Sequence, residues 1–173
     1  MQLARWMSAR RSTLVSIAVG TVTWVVAFGV GWALWPAGPQ LASAGDRLGF
    51  AAQLLAPIAV IALLMVSACF RIFDTEGAEN PLGNAESPAW RIHQRVLQNT
   101  VEQALIFVPA LLALASRIDP GDTRMLPLLV TLWCAGRLLF WIGYRVKPVL
   151  RGPGFEWTLY TSVVALGWFA TTL

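Results

Sequence analysis

Charged residues are scarce in this sequence. They make up 13% of its 173 residues, whereas 57% of the residues are hydrophobic, and the mean hydropathy is +0.61. Soluble domains carry roughly 25% charged residues, so this composition excludes an ordinary soluble domain. The sequence instead predicts a small all-α integral membrane protein that crosses the bilayer several times.

The residue types that build metal centres and disulfide frameworks are also few. Cys69 and Cys134 lie far apart in apolar runs without a CxxC motif, and His93 is the single histidine. There is no Ser–His–acid set and no Gly-rich phosphate loop either. We therefore expect no metal site and no disulfide, with both cysteines simply packed. His93 lies about 160° around a helix from Arg95, which favours a position at the lipid headgroups.

Basic residues are scattered along the chain, although the pI is about 9.8. Without a basic run, nucleic acid is not an expected partner. The positive-inside rule explains the pattern if the N-terminus is cytoplasmic. The inner face then holds Arg5, Arg10, Arg11, Arg71, Arg91, Arg95, Arg145, Lys147 and Arg151. The outer face holds only Arg47, Arg117 and Arg124. In a bacterium this would be the plasma or inner membrane.

Five apolar segments predict five transmembrane helices. The first, 13–35, has about 23 uncharged residues, which is enough to span a bilayer. Because Ala42-Ser43-Ala44 has the form of a cleavage site, a signal sequence is the alternative for this segment. The remaining spans are predicted at about 50–70, from Pro88 onward, at 126–144 and at 153–173. We divide the chain into an N-terminal helix with its loop, 1–47, and a four-helix membrane domain, 48–173.

Local signals mark where two of these helices begin. Ser87 followed by Pro88 is typical of an N-cap and the first helical position. Asp122 or Thr123 is expected to cap the fourth helix. Between the second and third spans, residues 71–90 form a polar loop.

A polar stripe opens the third predicted helix. Steps of four, four and three residues place Arg91, Arg95, Asn99 and Glu102 on one helix face. Such groups are costly in a membrane, so they indicate a functional site. The orientation above brings Arg137, Tyr144 and Arg151 to the same membrane face.

The chemistry of these groups predicts an anionic ligand. Several guanidinium groups with one carboxylate, one amide and one phenol suit a ligand with more than one carboxylate or phosphate. They also suit thiol activation. A cation about 4 Å from a thiol, at an effective dielectric constant near 20, is worth roughly 4 kcal/mol and could lower a thiol pKa from about 8.5 by as much as ~3.

The stripe also resembles a family motif. Arg95-x-x-x-Asn99-x-x-Glu102 resembles the R-x-x-x-N-x-x-E motif of the MAPEG family, the membrane-associated proteins in eicosanoid and glutathione metabolism. Arg91 resembles the arginine that precedes this motif in the family.

Three further positions resemble the same family. The stretch from Arg137 to Tyr144 is similar to the family's third helix. Arg151 falls where leukotriene C4 synthase-like members carry the arginine that activates the glutathione thiol. Arg71 resembles the basic residue that closes the first family helix and reaches a neighbouring subunit's ligand. The resemblance covers roughly residues 50–173 and implies a bacterial-type member with an extra N-terminal helix.

What the resemblance implies is a homotrimer of four-helix subunits that holds glutathione as co-substrate near the cytoplasmic face, without a metal. Its thiolate would attack a small lipophilic electrophile or peroxide that arrives through the membrane lipid. Arg151 would stabilise the thiolate. The glutathione-binding residues would be Arg95, Asn99, Glu102, Arg137, Tyr144, Arg91 and Arg71.

The chain departs from the family pattern at several positions. The proline that usually follows the glutamate closely appears only at Pro109. Leu97 stands where members usually carry Gln or His. Gln103 and Phe140 stand where the leukotriene-synthase type carries Tyr. These departures bear on glutathione affinity more than on the fold.

Simpler interpretations remain open. The stripe could hold neighbouring helices together as polar contacts, and Arg137 could pair with Glu102. Arg151 could be an ordinary arginine of an inside loop. The alternative to a glutathione-dependent transferase or peroxidase is a non-catalytic lipid-binding or scaffold member of the family.

Overall fold

Helices form the whole described fold. A computed structural model of the chain describes residues 2–173, with side chains from residue 10 onward, so the Arg5 side chain lies outside the described part. The helices are α1 (Gln2–Leu34), α2 (Ala44–Leu54), α3 (Ala56–Ser67), α4 (Pro88–Arg117), α5 (Met125–Val146) and α6 (Gly152–Thr171). Short 3-10 turns lie at Arg71–Phe73, Pro120–Asp122 and Pro148–Arg151. No strand occurs between residues 2 and 173, and the all-α prediction is confirmed.

Between residues 10 and 173, four segments are long and apolar enough to cross a membrane. They are Arg10–Leu34, Ala44–Ser67, Pro88–Arg117 and Pro120–Val146. The fifth predicted span, α6, has 20 residues, or about 30 Å of helix. It is less apolar because it carries polar side chains such as Glu156, Thr158 and Ser162, all of which are buried within the protein. Helix α6 is therefore long enough to span but has a polar inner face.

The second predicted span differs from its expected form. It is divided into α2 and α3, with Pro57 in the first turn of α3. Proline lacks an N–H group and clashes with the preceding turn, so it interrupts the hydrogen-bond ladder. The span also begins earlier than expected, at Ala44, because the Ser43 hydroxyl accepts a hydrogen bond from the Asp46 N–H at 3.0 Å. The central residue of Ala42-Ser43-Ala44 therefore caps a helix.

One of the two predicted helix starts is confirmed. Ser87 caps α4 and accepts a hydrogen bond from the Trp90 N–H at 3.0 Å, with Pro88 as the first helical residue. The predicted cap of α5 is wrong. That helix begins after Arg124 without a side-chain cap, because the Thr123 hydroxyl donates instead to the Pro39 carbonyl at 2.6 Å.

The core lies between α4, α5 and α6. The rings of Phe107 on α4 and Trp133 on α5 are fully buried and stacked, with centroids 5.6 Å apart. Helices α5 and α6 approach so closely at Gly136 and Gly154 that a Cβ on Gly154 would lie 2.6 Å from the Gly136 carbonyl oxygen. This contact lies near the end of the bundle that the distribution of basic residues predicts to be cytoplasmic.

Helix α1 packs along α6 through polar contacts. The Trp24 indole donates to the Thr161 hydroxyl at 3.0 Å, and the hydroxyls of Thr21 and Tyr160 are 2.9 Å apart. The opposite face of α1 exposes valines such as Val22 and Val26. An exposed apolar face of this kind suits lipid.

The polar loop between α3 and α4 is tied to the start of α4. Arg71 donates to the Glu86 carboxylate and to the Ala78 carbonyl, and its guanidinium lies 4.3 Å from the Trp90 ring centroid. The Ser87 N–H donates to the Asp74 carboxylate at 2.8 Å. These bonds fix the loop against the end of the bundle.

We expect this loop to loosen in acid. Hydrogen bonds from Ser87 lower the pKa of Asp74, and the hydrogen bond from Arg71 lowers the pKa of Glu86. A lowered pKa in the folded state stabilises it above the ordinary carboxyl values of about 4, and this contribution is lost as the pH falls through the lowered values. Amide hydrogen exchange in the loop, corrected for intrinsic rates, should accelerate below about pH 4.

The Arg71→Ala variant should show the accelerated exchange already at pH 7. The matched control is Glu79→Gln, which neutralises an exposed acid of the same loop. Protection at pH 7 that is equal in Arg71→Ala and the wild type would contradict this account of the loop.

Candidate functional site

Three residues of the predicted stripe on α4 line one cavity. Arg95, Asn99 and Glu102 border a space of about 630 Å³ at one end of the bundle. Gln98 also lines it and donates to the Glu102 carboxylate at 3.1 Å. The spacing of four and three residues thus places these groups on one wall, as helical geometry requires.

Helix α5 and the connection after it supply a second wall. Phe140 and Tyr144 line the cavity from α5, and Arg151 lines it from the last 3-10 turn. The Arg151 guanidinium lies 4.8 Å from the centroid of the Tyr144 ring. A cation at this distance from an aromatic face is held by the ring quadrupole. Arg151 is exposed enough to approach a ligand in the cavity.

Helices α6 and α1 complete the lining. Glu156 and Tyr160 border the cavity from α6, while Ser16 and Ile17 border it from α1. The Ser16 hydroxyl donates to the Val149 carbonyl at 3.1 Å. This bond holds α1 against the connection between α5 and α6.

Arg137 is not part of the cavity lining. It is fully buried beneath the cavity. Its guanidinium donates to the Asn99 side-chain oxygen at 2.9 Å and to the Thr158 hydroxyl at 2.6 Å. The alternative pairing of Arg137 with Glu102 does not form. Arg137 therefore reaches the cavity only indirectly, through Asn99 and the Phe140 ring.

Arg71 and Arg91 also lie apart from the cavity. Arg71 is engaged by Glu86 and Trp90 in the loop. Arg91 donates to the Asn84 carbonyl at 3.3 Å and lies 4.0 Å from the Glu86 carboxylate. Of the candidate site residues, the chain brings together Arg95, Asn99, Glu102, Tyr144 and Arg151.

His93 does not face the cavity. Its Nδ1 accepts a hydrogen bond from the Trp141 indole at 3.0 Å. This bond links the outer sides of α4 and α5 and gives both residues a structural role.

The positions that depart from the family pattern have different surroundings. Phe140 lines the cavity, so a hydroxyl is absent from this part of its wall. Gln103 is buried in the bundle and its Oε1 has no hydrogen-bond partner among the described residues. Leu97 packs with Val96 and Phe140 in a hydrophobic cluster. Of these three departures, Phe140 is the one that changes the cavity itself.

The cavity combines permanent cations with hydrogen-bonding groups. Arg95 and Arg151 cannot act as bases at ordinary pH, so they serve as charges and as donors. Between residues 10 and 173, no three His, Cys, Asp or Glu side chains come together as a metal site would require. Glu102 and Glu156 line the same cavity, so its two guanidinium groups and two carboxyl groups suit a ligand that carries both anionic and cationic groups.

Comparison with known proteins agrees with this arrangement of helices. A model of the MAPEG family matches residues 54–171, which is more than half of the chain. The chain belongs to the MAPEG family. No match was found among curated proteins or solved structures. As a MAPEG member with several long apolar helices, the chain is an integral multi-pass membrane protein. Helix α1 lies outside the matched region.

Sequence reasoning missed Glu156 and the contribution of α1. Glu156 is the single acidic residue in the last apolar segment, and an ionisable group within a membrane helix is expensive. That signal was sufficient to select Glu156. The placement of Ser16 and Ile17 depends on how α1 packs, and no local pattern predicts it.

Proposed function

We propose that this MAPEG member is a membrane-bound, glutathione-dependent transferase or peroxidase. One observation carries the proposal: a single cavity collects Arg95, Asn99 and Glu102 from α4 with Tyr144 and Arg151 from the far side. Cations on two walls suit a tripeptide with two carboxylates and an ionisable thiol. Family membership supports the same reaction class.

In the proposed reaction, Arg151 stabilises the glutathione thiolate. The thiol proton passes to water. The thiolate sulfur then attacks a carbon of a lipophilic electrophile and forms a carbon–sulfur bond, while the leaving group departs with the electron pair of its broken bond to that carbon. Apolar lining from Ile17, Phe155 and Leu159 offers a place for the electrophile beside the thiol. The bilayer is the natural source of such a molecule.

The proposal keeps the homotrimer expected for the family. Arg71 and Arg91 lie outside the cavity of their own chain. Any contact of Arg71 with glutathione would then be made in a neighbouring subunit.

Removal of the Arg151 guanidinium tests the proposal. Detergent-solubilised protein should be thermally stabilised by glutathione and should conjugate a chlorodinitrobenzene-type electrophile. In Arg151→Ala the thiol pKa rises toward its ordinary value of about 8.5, so the rate at pH 7 should fall roughly tenfold or more. The rising limb of the pH–rate profile, which follows ionisation of the thiol, should move to higher pH.

The matched control is Lys147→Ala, which removes an exposed cation from the same connection but not from the cavity. It should keep the wild-type rate and profile. No stabilisation by glutathione, together with no Arg151-dependent conjugation, would refute the enzyme proposal.

A non-catalytic lipid-binding member is the second candidate. The apolar residues of the cavity favour it, because Ile17, Phe155 and Leu159 could contact an acyl chain instead of an electrophile. In that case lipid would raise the melting temperature of the protein, and glutathione would not.

A further inference from the structure

Glu156 is a buried carboxyl group without a partner among the described residues. Its side chain is only 5% exposed, and its Oε2 atom accepts no hydrogen bond from any described residue. No described cation lies within ion-pair distance of Glu156, since both ion pairs between residues 10 and 173 involve Glu86. An ionised carboxylate in such a place is costly unless something pairs with it.

Helix α1 covers one side of this carboxyl group. Gly20 of α1 lies against it so closely that a Cβ at this position would be 2.9 Å from both the Glu156 Cδ and the Pro153 Cα, and closer still to Oε2. Neighbouring contacts hold α1 there, among them the bond between Ser16 and the Val149 carbonyl. No partner for Glu156 can enter from the α1 side.

The cavity is the remaining side. Glu156 lines it together with Arg95 and Arg151. The other acid of the lining, Glu102, is exposed and already accepts a hydrogen bond from Gln98. A buried acceptor without a partner gains more from a new donor than an exposed one that is already bonded. Because Gly20 covers the Oε2 atom, a ligand cation would approach the Glu156 carboxylate from the cavity side.

We propose that Glu156 is a ligand-binding residue that accepts hydrogen bonds from the ammonium group of the bound thiol peptide. This proposal rests on the proposed function, in which that ligand is glutathione. Glutathione carries two carboxylates, a thiol and one ammonium group. The guanidinium groups of Arg95 and Arg151 suit its anionic parts, and Glu156 suits its single cation.

Helix α1 closes one side of this subsite. It lies outside the region matched by the family model, yet it closes the subsite behind Glu156 within the same chain. The ligand cation would be shielded from water and lipid by Gly20 and Ser16 on this side. Shielding strengthens a charge-assisted hydrogen bond because the local dielectric constant is low.

Binding of two peptides to two proteins tests the proposal. The peptides are glutathione and N-acetylglutathione, in which acetylation removes the positive charge of the amine. The proteins are the full-length wild type and Glu156→Gln, both in detergent, with affinities obtained from thermal stabilisation at increasing peptide concentration. The control variant is Glu79→Gln, which makes the same chemical change in an exposed loop.

We expect Glu156→Gln to weaken glutathione binding roughly ten- to hundredfold, as for the loss of a charge-assisted hydrogen bond. N-acetylglutathione should bind the wild type more weakly by a similar factor, and Glu156→Gln should not weaken it further. Glu79→Gln should match the wild type with both peptides. Without peptide, Glu156→Gln should melt no lower than the wild type, because it removes a buried charge.

Four results would overturn the proposal. Equal affinity of the wild type for both peptides would mean that no ammonium subsite exists, and this measurement needs no variant. An equal loss for both peptides in Glu156→Gln would indicate general damage to the cavity. Unchanged glutathione binding in Glu156→Gln would overturn this proposal alone, whereas no binding of glutathione to the wild type would overturn the proposed function as well.

Discussion

The Gly154→Ala variant should lose most of its stability. A Cβ at this position would lie 2.6 Å from the Gly136 carbonyl oxygen and from the Phe140 Cα, and closer still to the Phe140 backbone nitrogen. All three are backbone atoms of α5, so no side-chain rotation can relieve the contact. Overpacking in a core costs about 1–3 kcal/mol and more where the backbone itself must move, so we expect a loss of about 3 kcal/mol or more.

The matched control is Gly167→Ala on the same helix. Its Cβ would meet nothing within 4 Å, and alanine in a helix is favoured over glycine by about 1 kcal/mol. Unfolding in detergent, followed by circular dichroism, should therefore rank Gly167→Ala at or above the wild type and Gly154→Ala far below it. Similar melting curves for the two variants would mean that α5 and α6 do not pack closely at Gly154.

Much of the candidate site could be predicted from the sequence. Arg95, Asn99 and Glu102 share a face because their spacing follows the helical period, and that part of the cavity needs no tertiary information. Tyr144 and Arg151 follow from the orientation of the helices, which the distribution of basic residues indicates. These five residues meet in one cavity.

Arg137 shows where such reasoning stops. It precedes Tyr144 by seven residues, so both lie on one face of α5, but about 10 Å apart along the axis. Tyr144 therefore reaches the cavity, while Arg137 lies at the level where α5 crosses Gly154 and Thr158 of α6. Helical period predicts the face of a residue but not its depth, because depth depends on where the neighbouring helix crosses.

The cap of α5 shows a second limit. Asp122 and Thr123 have the residue types of an N-cap, but Thr123 is buried and bonded to Pro39 from the loop after α1. The Pro39 carbonyl, which is distant in sequence, binds the Thr123 hydroxyl, and this hydroxyl therefore does not cap α5. Ser43 and Ser87, which have no such competing partner, form the caps that local chemistry favours.

Arg137→Ala should unfold far more readily than the wild type. The buried guanidinium donates to Asn99, to Thr158 and, at 3.4 Å, to the Gly154 carbonyl, and it lies 4.6 Å from the centroid of the Phe140 ring. Alanine would leave a cavity, and the side-chain oxygens of Asn99 and Thr158 would each lose a donor. The cavity and the lost hydrogen bonds both destabilise the folded state, so we expect a loss of about 3–5 kcal/mol in the free energy of unfolding. Denaturant titration in detergent measures it.

Arg95→Ala should weaken glutathione binding while leaving the stability of the fold nearly unchanged. Arg95 is exposed at the cavity and has no buried acceptor to lose, so its removal should change the free energy of unfolding by no more than about 0.5 kcal/mol. Glutathione binding should nevertheless be strongly weakened. The pair of variants thus separates a residue that holds the helices together from one that contacts the ligand.

Arg137→Lys adds the decisive comparison, because it should keep the charge and enough structure for binding to be measured. A lysine ammonium cannot reproduce the planar fork that bonds α4 and α6 at once. We expect intermediate stability and a moderately weaker glutathione affinity, since Asn99 would be held less firmly on the cavity wall. Combining it with Asn99→Ala should then weaken binding by less than the sum of the two single effects, because both act through the same amide. Wild-type stability with abolished glutathione binding in Arg137→Ala would instead mean that Arg137 contacts the ligand directly.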